Sequence, residues 1–597
     1  MRAPLLALLL GACAKPAAVE VAVPTALHPE ATAGVADPVL ARLLHDHWED
    51  AMARSPEWAT MLGDRRYDHL IGDASALAET DRFEAARGFL ARAEAIDLDT
   101  LSPEDRLTVG VFAISIRDTL ADEACHFGDW SLTPSRNALA DLARTIEDHP
   151  LDSPASIDTL AARIEAMPQR IDDEIARLEH GLANDRVAGA ESVARTLDFI
   201  DRTLALPEAD SPLYAPLFAE SEHMDEPRSM AHRARIKGVL IPAISRYRGF
   251  IEVRLLPQAR PPERATLAGL PDGDQCYASL IQRHTTLTVS ADEVHQTGLR
   301  EIARVHAEFD ALARRVYAET HPEVLGDRAA LFDLLRTDPA LRFDTPESIL
   351  ATAESSLRAA EAAVPTVFHS LPDTACVVEP VPAHAAPYTY VAWYEPPALD
   401  RPGIYRVNTH APETRLRHEA RALAFHESVP GHHLQIALSQ ELDALPAFRR
   451  HNGVTAYREG WALYAERLAD ELGLYPSDVD RLGMLSYDAW RSARLVVDTG
   501  LHHKGWTRAQ AEAWMKENTP LAENNIRNEV DRYIGWPGQA LGYKVGQLAL
   551  LELRDKAHTQ LGDAFSLADF HQVVLETGPV PLPVLRDRVD QWLEEAD

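Results

Sequence analysis

Within eight residues, His426-Glu427-Ser428-Val429-Pro430-Gly431-His432-His433, the chain gathers three imidazoles and a carboxylate, side chains that bind metal ions and move protons. A helix that grips zinc usually spells H-E-x-x-H, because residues i and i+4 share a face and the glutamate between them serves as base. Here the fifth position is Pro430, so that spacing fails. On an uninterrupted helix His433 would share the face of His426 but lie roughly 10 Å along the axis, and His432 would be nearer but point away. Pro430 has no N–H, and its ring collides with the carbonyl four residues back, that of His426; Gly431 tolerates unusual dihedrals. The helix is therefore expected to bulge between Glu427 and His432. A bulge that absorbs the two extra residues returns a histidine to the i+4 direction, which makes His432 the second ligand beside His426, with His433 in reserve. A third ligand should be a carboxylate or histidine on a following helix.

The segment Tyr457-Arg458-Glu459-Gly460-Trp461-Ala462-Leu463-Tyr464-Ala465-Glu466 resembles the N-E-G-F-A-x-Y-x-E stretch of gluzincin aminopeptidases, in which the first glutamate binds zinc. That resemblance makes Glu459 the third ligand. Glu466, two turns on, is spaced to orient a ligating histidine from behind. Four ordered motifs also resemble the bacterial family known as domain of unknown function 885: H-E-x-x-P-G-H-H-x-Q at His426 to Gln435, E-G-W-A-L-Y-A-E at Glu459 to Glu466, R-x-x-R-L-V-V-D-T-G-L-H at Arg491 to His502, and Y-x-x-x-P-G-Q-A-x-x-Y-K at Tyr533 to Lys544. The likeness covers most of the chain after its first few dozen residues. Members are often lipoproteins and are similar to zinc peptidases. The resemblance implies a mostly helical fold around a metal cleft and a Zn(2+) cofactor, and leaves the substrate open.

The chemistry expected of such a site is metal-assisted hydrolysis of a peptide bond, with Glu427 as general base. The oxyanion then needs a donor on the far side of the metal, for which Tyr533 and Tyr543 are candidates, with His502 behind them. Arg491, Arg494 and Arg532 suit a substrate carboxylate through the planar guanidinium fork, with Asp498 placed to hold them. A second reading keeps the metal and makes the substrate a cell-wall peptide or another small amide. A third is a metal- or peptide-binding lipoprotein without turnover, which an intact base at Glu427 argues against.

These residues need a helical frame. Amphipathic stripes dominate from Pro38 onward: Val39, Leu40, Leu43, Leu44 and Trp48 form one, and others run through Ile157 to Leu182, where Pro168 is expected to split the helix, Leu299 to Tyr317 and Pro346 to Ala363. The fold class is mainly α, a large helical body around a metal cleft. The exception runs from Ala386 to Thr409, where Tyr388, Tyr390 and Tyr394 alternate before Pro396-Pro397 and Ile404, Tyr405 and Val407 follow Gly403. It reads as two strands around a turn, a small sheet beside the active-site helix. An edge strand there would pair with an extended peptide, with Tyr394 facing the substrate.

The remaining features bound the setting. With 59 basic against 92 acidic residues and a formal charge of -33, the chain is a poor partner for nucleic acid. Met1 to Leu10 read as a short export signal ending in Leu10-Gly11-Ala12-Cys13, a lipobox in which Cys13 becomes the acylated N-terminus. Ala14 after it favours the outer membrane, facing the periplasm. Residues 14–37 are read as a flexible tether, 38–275 as an N-terminal helical lobe and 276–597 as the catalytic lobe. Cys125, Cys276 and Cys376 have no metal-binding spacing; in an oxidising compartment one pair could bridge, which leaves at least one free thiol, the sequence does not choose the pair, and buried single thiols are the default reading.

Overall fold

Helix starts are written into the chain as capping side chains. In the computed structural model, which describes residues 26–596 apart from 219–221, 383–385, 387–390 and 399–400, Asp37 accepts the N–H groups of Val39 and Leu40 at the start of α1 (Pro38–Arg54). Ser102 caps α2 (Pro103–Ala121), and Ser153 caps α3 (Pro154–Ala183) with Pro at the first position. The leader with Cys13, the tether as far as residue 25, and Tyr388 and Tyr390 lie outside the described residues. The folded body begins before Pro38, earlier than the expected tether boundary. Ala31 is buried, the Glu30 carbonyl accepts from Ala447 N–H, and the N–H groups of Ala36 and Asp37 donate to the Asp105 carboxylate.

Two expectations about these helices need correction. Pro168 does not split α3, which runs unbroken for 30 residues. Ile164, Met167 and Ile171 on either side of the proline are fully buried in one cluster, and that packing outweighs the lost N–H. Val39 leaves the stripe of α1 and faces solvent, while Leu40, Leu43, Leu44 and Trp48 are buried.

Helices also dominate the C-terminal half: α4 (Ala291–Tyr317), then α5 (Ala420–Glu427), α6 (His432–Gln440), α7 (Thr455–Glu471), α8 (Asp478–His502), α9 (Glu523–Gly535) and α10 (Leu541–Leu561). The largest hydrophobic cluster draws nearly all its members from residue 302 onward, and a second lies wholly between Leu132 and Leu255. Four helices of the larger body are tied by one buried carboxylate. Asp488 on α8 receives Lys544 of α10, Arg467 of α7 and Arg304 of α4. Burial opposes its ionisation, but those three cations outweigh it and hold its pKa far below the ordinary value. Removing Asp488 would take from the fully buried Lys544 ammonium its nearest carboxylate, a loss of about 3–5 kcal/mol.

α7 and α10 meet at Gly460 and Gly546. A Cβ on Gly460 would fall 2.5 Å from the Gly546 backbone, and one on Gly546 would fall 1.8 Å from the Ala456 carbonyl. The two axes can approach this closely only where both side chains are absent. Glu459 and Tyr543 flank that crossing, one on each helix.

The mainly helical expectation holds, and so does the small sheet beside α5. β2 (Ala392–Glu395) and β3 (Gly403–Val407), preceded by β1 (Cys376–Pro380), stand in the order β1-β3-β2. β2 pairs antiparallel with β3, Tyr394 opposite Tyr405, while β1 pairs parallel with β3. β1 was not anticipated, because its five residues lie upstream of the aromatic alternation. Among the described residues no helix is long and apolar enough to cross a membrane.

Among the three cysteines the structure selects one bridged pair over the default of single thiols. Cys125 and Cys276 form a disulfide across 151 residues, and among the described residues Cys376 remains as a buried free thiol. The 3-10 turn that ends at Cys125 packs on the helix Gly273–Thr285, which brings the two Cα atoms to 4.7 Å. For protein lacking residues 1–13 and made in an oxidising compartment, thiol titration after unfolding without reductant is expected to find one thiol per chain, rising to three after reduction. Three without reduction would contradict the bridge.

Candidate metal centre

Pro430 ends the ligand helix instead of bulging it. α5 stops at Glu427, and α6 starts afresh at His432. Between them the chain turns back over the end of α5: a Cβ on Gly431 would lie 2.0 Å from the His426 carbonyl and 2.4 Å from that of Phe425, so only glycine fits. The turn is gripped from α7, where Trp461 Nε1–H donates to the Pro430 carbonyl at 2.9 Å. Two separate helix ends thus replace the single bulged helix expected from the spacing.

His426 closes α5 and His432 opens α6, their rings 4.8 Å apart at 83°. Glu459 Oε2 on α7 lies 3.7 Å from His426 Nε2 and 3.3 Å from His432 Nε2. One ligand atom from each of the three residues falls within 4.8 Å of the others. The far nitrogen of His426, Nδ1, donates to Glu466 Oε1 at 2.8 Å, which turns Nε2 toward Glu459. Glu466 therefore stands where the motif spacing put it.

The electrostatics of the cluster favour a cation. Burial opposes protonation of His426, but the carboxylates of Glu459 and Glu466 outweigh it and lift its pKa to about 9. Burial likewise opposes ionisation of Glu459, but the two imidazoles hold its pKa well below the ordinary range. Two histidines and a glutamate are a zinc hydrolase's donor set. An orphaned polar atom fits it: Glu459 Oε2, which faces both imidazoles, is buried without a hydrogen bond.

The choice between the adjacent histidines follows from their partners. His433 Nδ1 accepts the Tyr394 hydroxyl at 2.9 Å, and its Nε2–H donates to the Thr374 carbonyl at 3.0 Å. Both ring nitrogens are spent, burial pushes its pKa down to about 4, and the reserve role for His433 falls away. The same bond corrects Tyr394, whose hydroxyl fastens the edge strand β2 to α6 instead of waiting for substrate.

Glu427, the candidate base, is 9% exposed on the last turn of α5, and its carboxylate makes no hydrogen bond or ion pair among the described residues. Of the proposed oxyanion donors, Tyr543 lies against the cluster, its ring 6.1 Å from that of His426 and within 11° of parallel. Tyr533 is fully buried, with its hydroxyl receiving Trp490 Nε1–H at 3.1 Å and Arg494 Nε–H at 3.2 Å. His502 is a structural tie: Nδ1 accepts from Leu267 N–H and Nε2–H donates to the Tyr533 carbonyl. With both nitrogens held by backbone, it has no proton to offer a substrate.

The arginines also separate. Arg532 commits Nε and Nη2 to Glu529 and Nη1 to Gln539, so it braces α9. Arg491 and Arg494 keep unspent donors. Asp498 does not hold them; it accepts the Tyr277 hydroxyl at 2.7 Å and Gly538 N–H at 3.1 Å. Arg458 was missed. It precedes Glu459 and is half-buried, its guanidinium makes no hydrogen bond or ion pair among the described residues, and its adjacency to Glu459 was the available signal.

Burial lifts the Asp498 carboxyl to about 7, against the opposing hydrogen bonds of Tyr277 and Gly538. The folded state therefore holds this proton more tightly than the unfolded chain does. Its stabilisation is complete below the unfolded value near 4 and is lost as pH rises through about 7. Between pH 5 and 7 the unfolding free energy of the native chain should fall more steeply than that of Asp498→Asn, by up to about 1.4 kcal/mol per pH unit. Identical slopes in urea titrations would refute the assignment.

Comparison with known proteins agrees with the fold. A candidate lipoprotein from Colwellia psychrerythraea superposes with a TM-score of 0.86 at 26% identity, covering 93% of this chain and 99% of the other. A candidate lipoprotein of unknown function from Shewanella oneidensis shares the fold at a TM-score of 0.72 and 17% identity, covering 92% and 99%. No curated protein matches. The model of the bacterial proteins of unknown function DUF885 matches residues 56–589, and the chain belongs to that family.

Proposed function

We propose that this chain is a zinc-dependent peptidase of the bacterial cell envelope, which hydrolyses short extended peptides with Glu427 as general base. The observation that carries the reading is the convergence of His426, His432 and Glu459 to within 4.8 Å, with Glu466 bound to the rear nitrogen of His426. A zinc ion held by those three residues would lower the pKa of a bound water toward ~7 and polarise the scissile carbonyl.

The protein's own groups supply the rest. Glu427, unpaired and beside a ligand, takes the proton of the attacking water and passes it to the leaving amine. Tyr543 offers its phenol to the carbonyl oxygen as negative charge gathers there. Burial and the Glu459 carboxylate raise the Tyr543 pKa, which keeps the phenol protonated as a donor. The reading as an envelope lipoprotein is supported by the Leu10-Gly11-Ala12-Cys13 leader and by the names of the Colwellia and Shewanella proteins. Acylation at Cys13 on the outer membrane, facing the periplasm, completes the proposal.

Elemental analysis of protein lacking residues 1–13 should find about one zinc per chain, lost in His426→Ala and Glu459→Ala. Glu427→Gln should keep the zinc and lose peptide hydrolysis by about a hundredfold or more. Absence of metal after zinc is supplied, or undiminished hydrolysis by Glu427→Gln, would reject the mechanism.

A further inference from the structure

Arg491 and Arg494 stand one turn apart on α8, each 3% exposed. A buried guanidinium ordinarily spends its N–H groups on acceptors, because a charge withdrawn from water without partners is costly. Arg163 illustrates the rule, giving its donors to the Leu70 and Tyr67 carbonyls, His149 and Thr60. Arg491 breaks it: Nε and Nη1 have no acceptor, and Nη2 lies 4.0 Å from Glu466 Oε1. Arg494 gives Nε to Tyr533 and Nη2 to Glu529, and its Nη1 has no acceptor.

These donors gather beside the candidate metal centre. The guanidinium of Arg494 lies 4.1 Å and that of Arg491 5.9 Å from the ring of Tyr543, the ring that stacks on His426. Trp490 lies 4.0 Å from Arg491 and 4.5 Å from Arg494, and Tyr487 lies 4.5 Å from Arg491. Aromatic faces fix the guanidinium planes and attract their charge but cannot accept their in-plane N–H bonds. The fitting acceptor is planar, anionic and able to take several N–H groups at once, which describes a carboxylate.

We propose that Arg491 and Arg494 receive the free α-carboxylate of the substrate, so that the enzyme is a carboxypeptidase; this rests on the zinc-peptidase reading above. Through Glu466 and the His426 ring, Arg491 Nη2 is at most roughly 11 Å from an ion on His426 Nε2. One residue of extended chain spans about 3.5 Å, and the carboxylate-to-guanidinium contact takes up part of the rest. That upper bound places the carboxylate no more than about two residues past the scissile bond. Each turnover consumes one water and releases a single amino acid or a dipeptide from the C-terminal end.

The test uses acetylated peptides without Asp or Glu that vary the last residue, each made as the free acid and as the C-terminal amide. Mass spectrometry of the zinc-loaded enzyme should show residues lost only from the free-acid end, with amidation lowering kcat/KM by about a hundredfold. Internal fragments, or equal rates for acid and amide, would overturn the proposal. In parallel, calorimetry on zinc-loaded Glu427→Gln compares binding of the same acids and amides. Acid-selective binding without turnover in the native enzyme would leave the carboxylate site standing and reject the peptidase reading. Equal binding, or none, would reject the carboxylate site. Arg491→Lys and Arg494→Lys, verified as folded by circular dichroism, should bind acid and amide nearly alike, whereas a merely structural role would weaken both in proportion.

Discussion

The chain leaves its helix at Glu427 and starts a new one at His432, with Pro430, which has no N–H for the His426 carbonyl, and the tightly packed Gly431 in the turn between them. The local geometry of the candidate centre depends on that constraint. One helix must end at His426-Glu427, a second must begin at His432, and the intervening turn must press its backbone so close that position 431 admits only glycine. The two histidines then approach from different helix ends with rings nearly perpendicular. An H-e-x-x-h helix obtains convergence from one rigid element; here it comes from two elements and needs outside support.

That support comes from α7. The helix that carries Glu459 and Glu466 also sends Trp461 to the Pro430 carbonyl, so one element holds both the turn and the groups that face His426 from either side. α7 is placed in turn by its close crossing with α10 at Gly460 and Gly546, and by the shared grip of Lys544, Arg467 and Arg304 on Asp488. The same crossing brings Tyr543 beside the cluster. A charge network centred on the buried Asp488 and Lys544, with Arg467 and Arg304 reaching in from its rim, thereby sets the position of polar groups at the cleft.

Of the later motifs, only part faces the centre. Tyr533, His502, Arg532 and Asp498 spend their polar atoms on one another's elements, which explains why these residue types occur there without a role in the proposed chemistry. They fix α8 and α9 so that Arg491 and Arg494 are presented beside Tyr543. A motif in a primary sequence mixes residues that do chemistry with residues that hold them, and residue type does not distinguish the two.

The mainly α fold, the small sheet, the Glu466 orienting contact and the cluster of His426, Glu427, His432 and Glu459 were legible in the sequence because each depends on local spacing: helical periodicity, strand alternation, a proline two residues before a histidine. Whether His432 or His433 faces the centre, whether Tyr533 or Tyr543 lies against it, and which arginines keep free donors were decided by tertiary structure. These questions turn on partners distant in sequence, such as Tyr394 and Thr374 for His433 or Glu529 and Gln539 for Arg532. The Cys125–Cys276 bridge and the unbroken α3 through Pro168 belong with them. Hydrogen-bond saturation and packing are properties of neighbourhoods, and neighbourhoods exist only once the chain has folded.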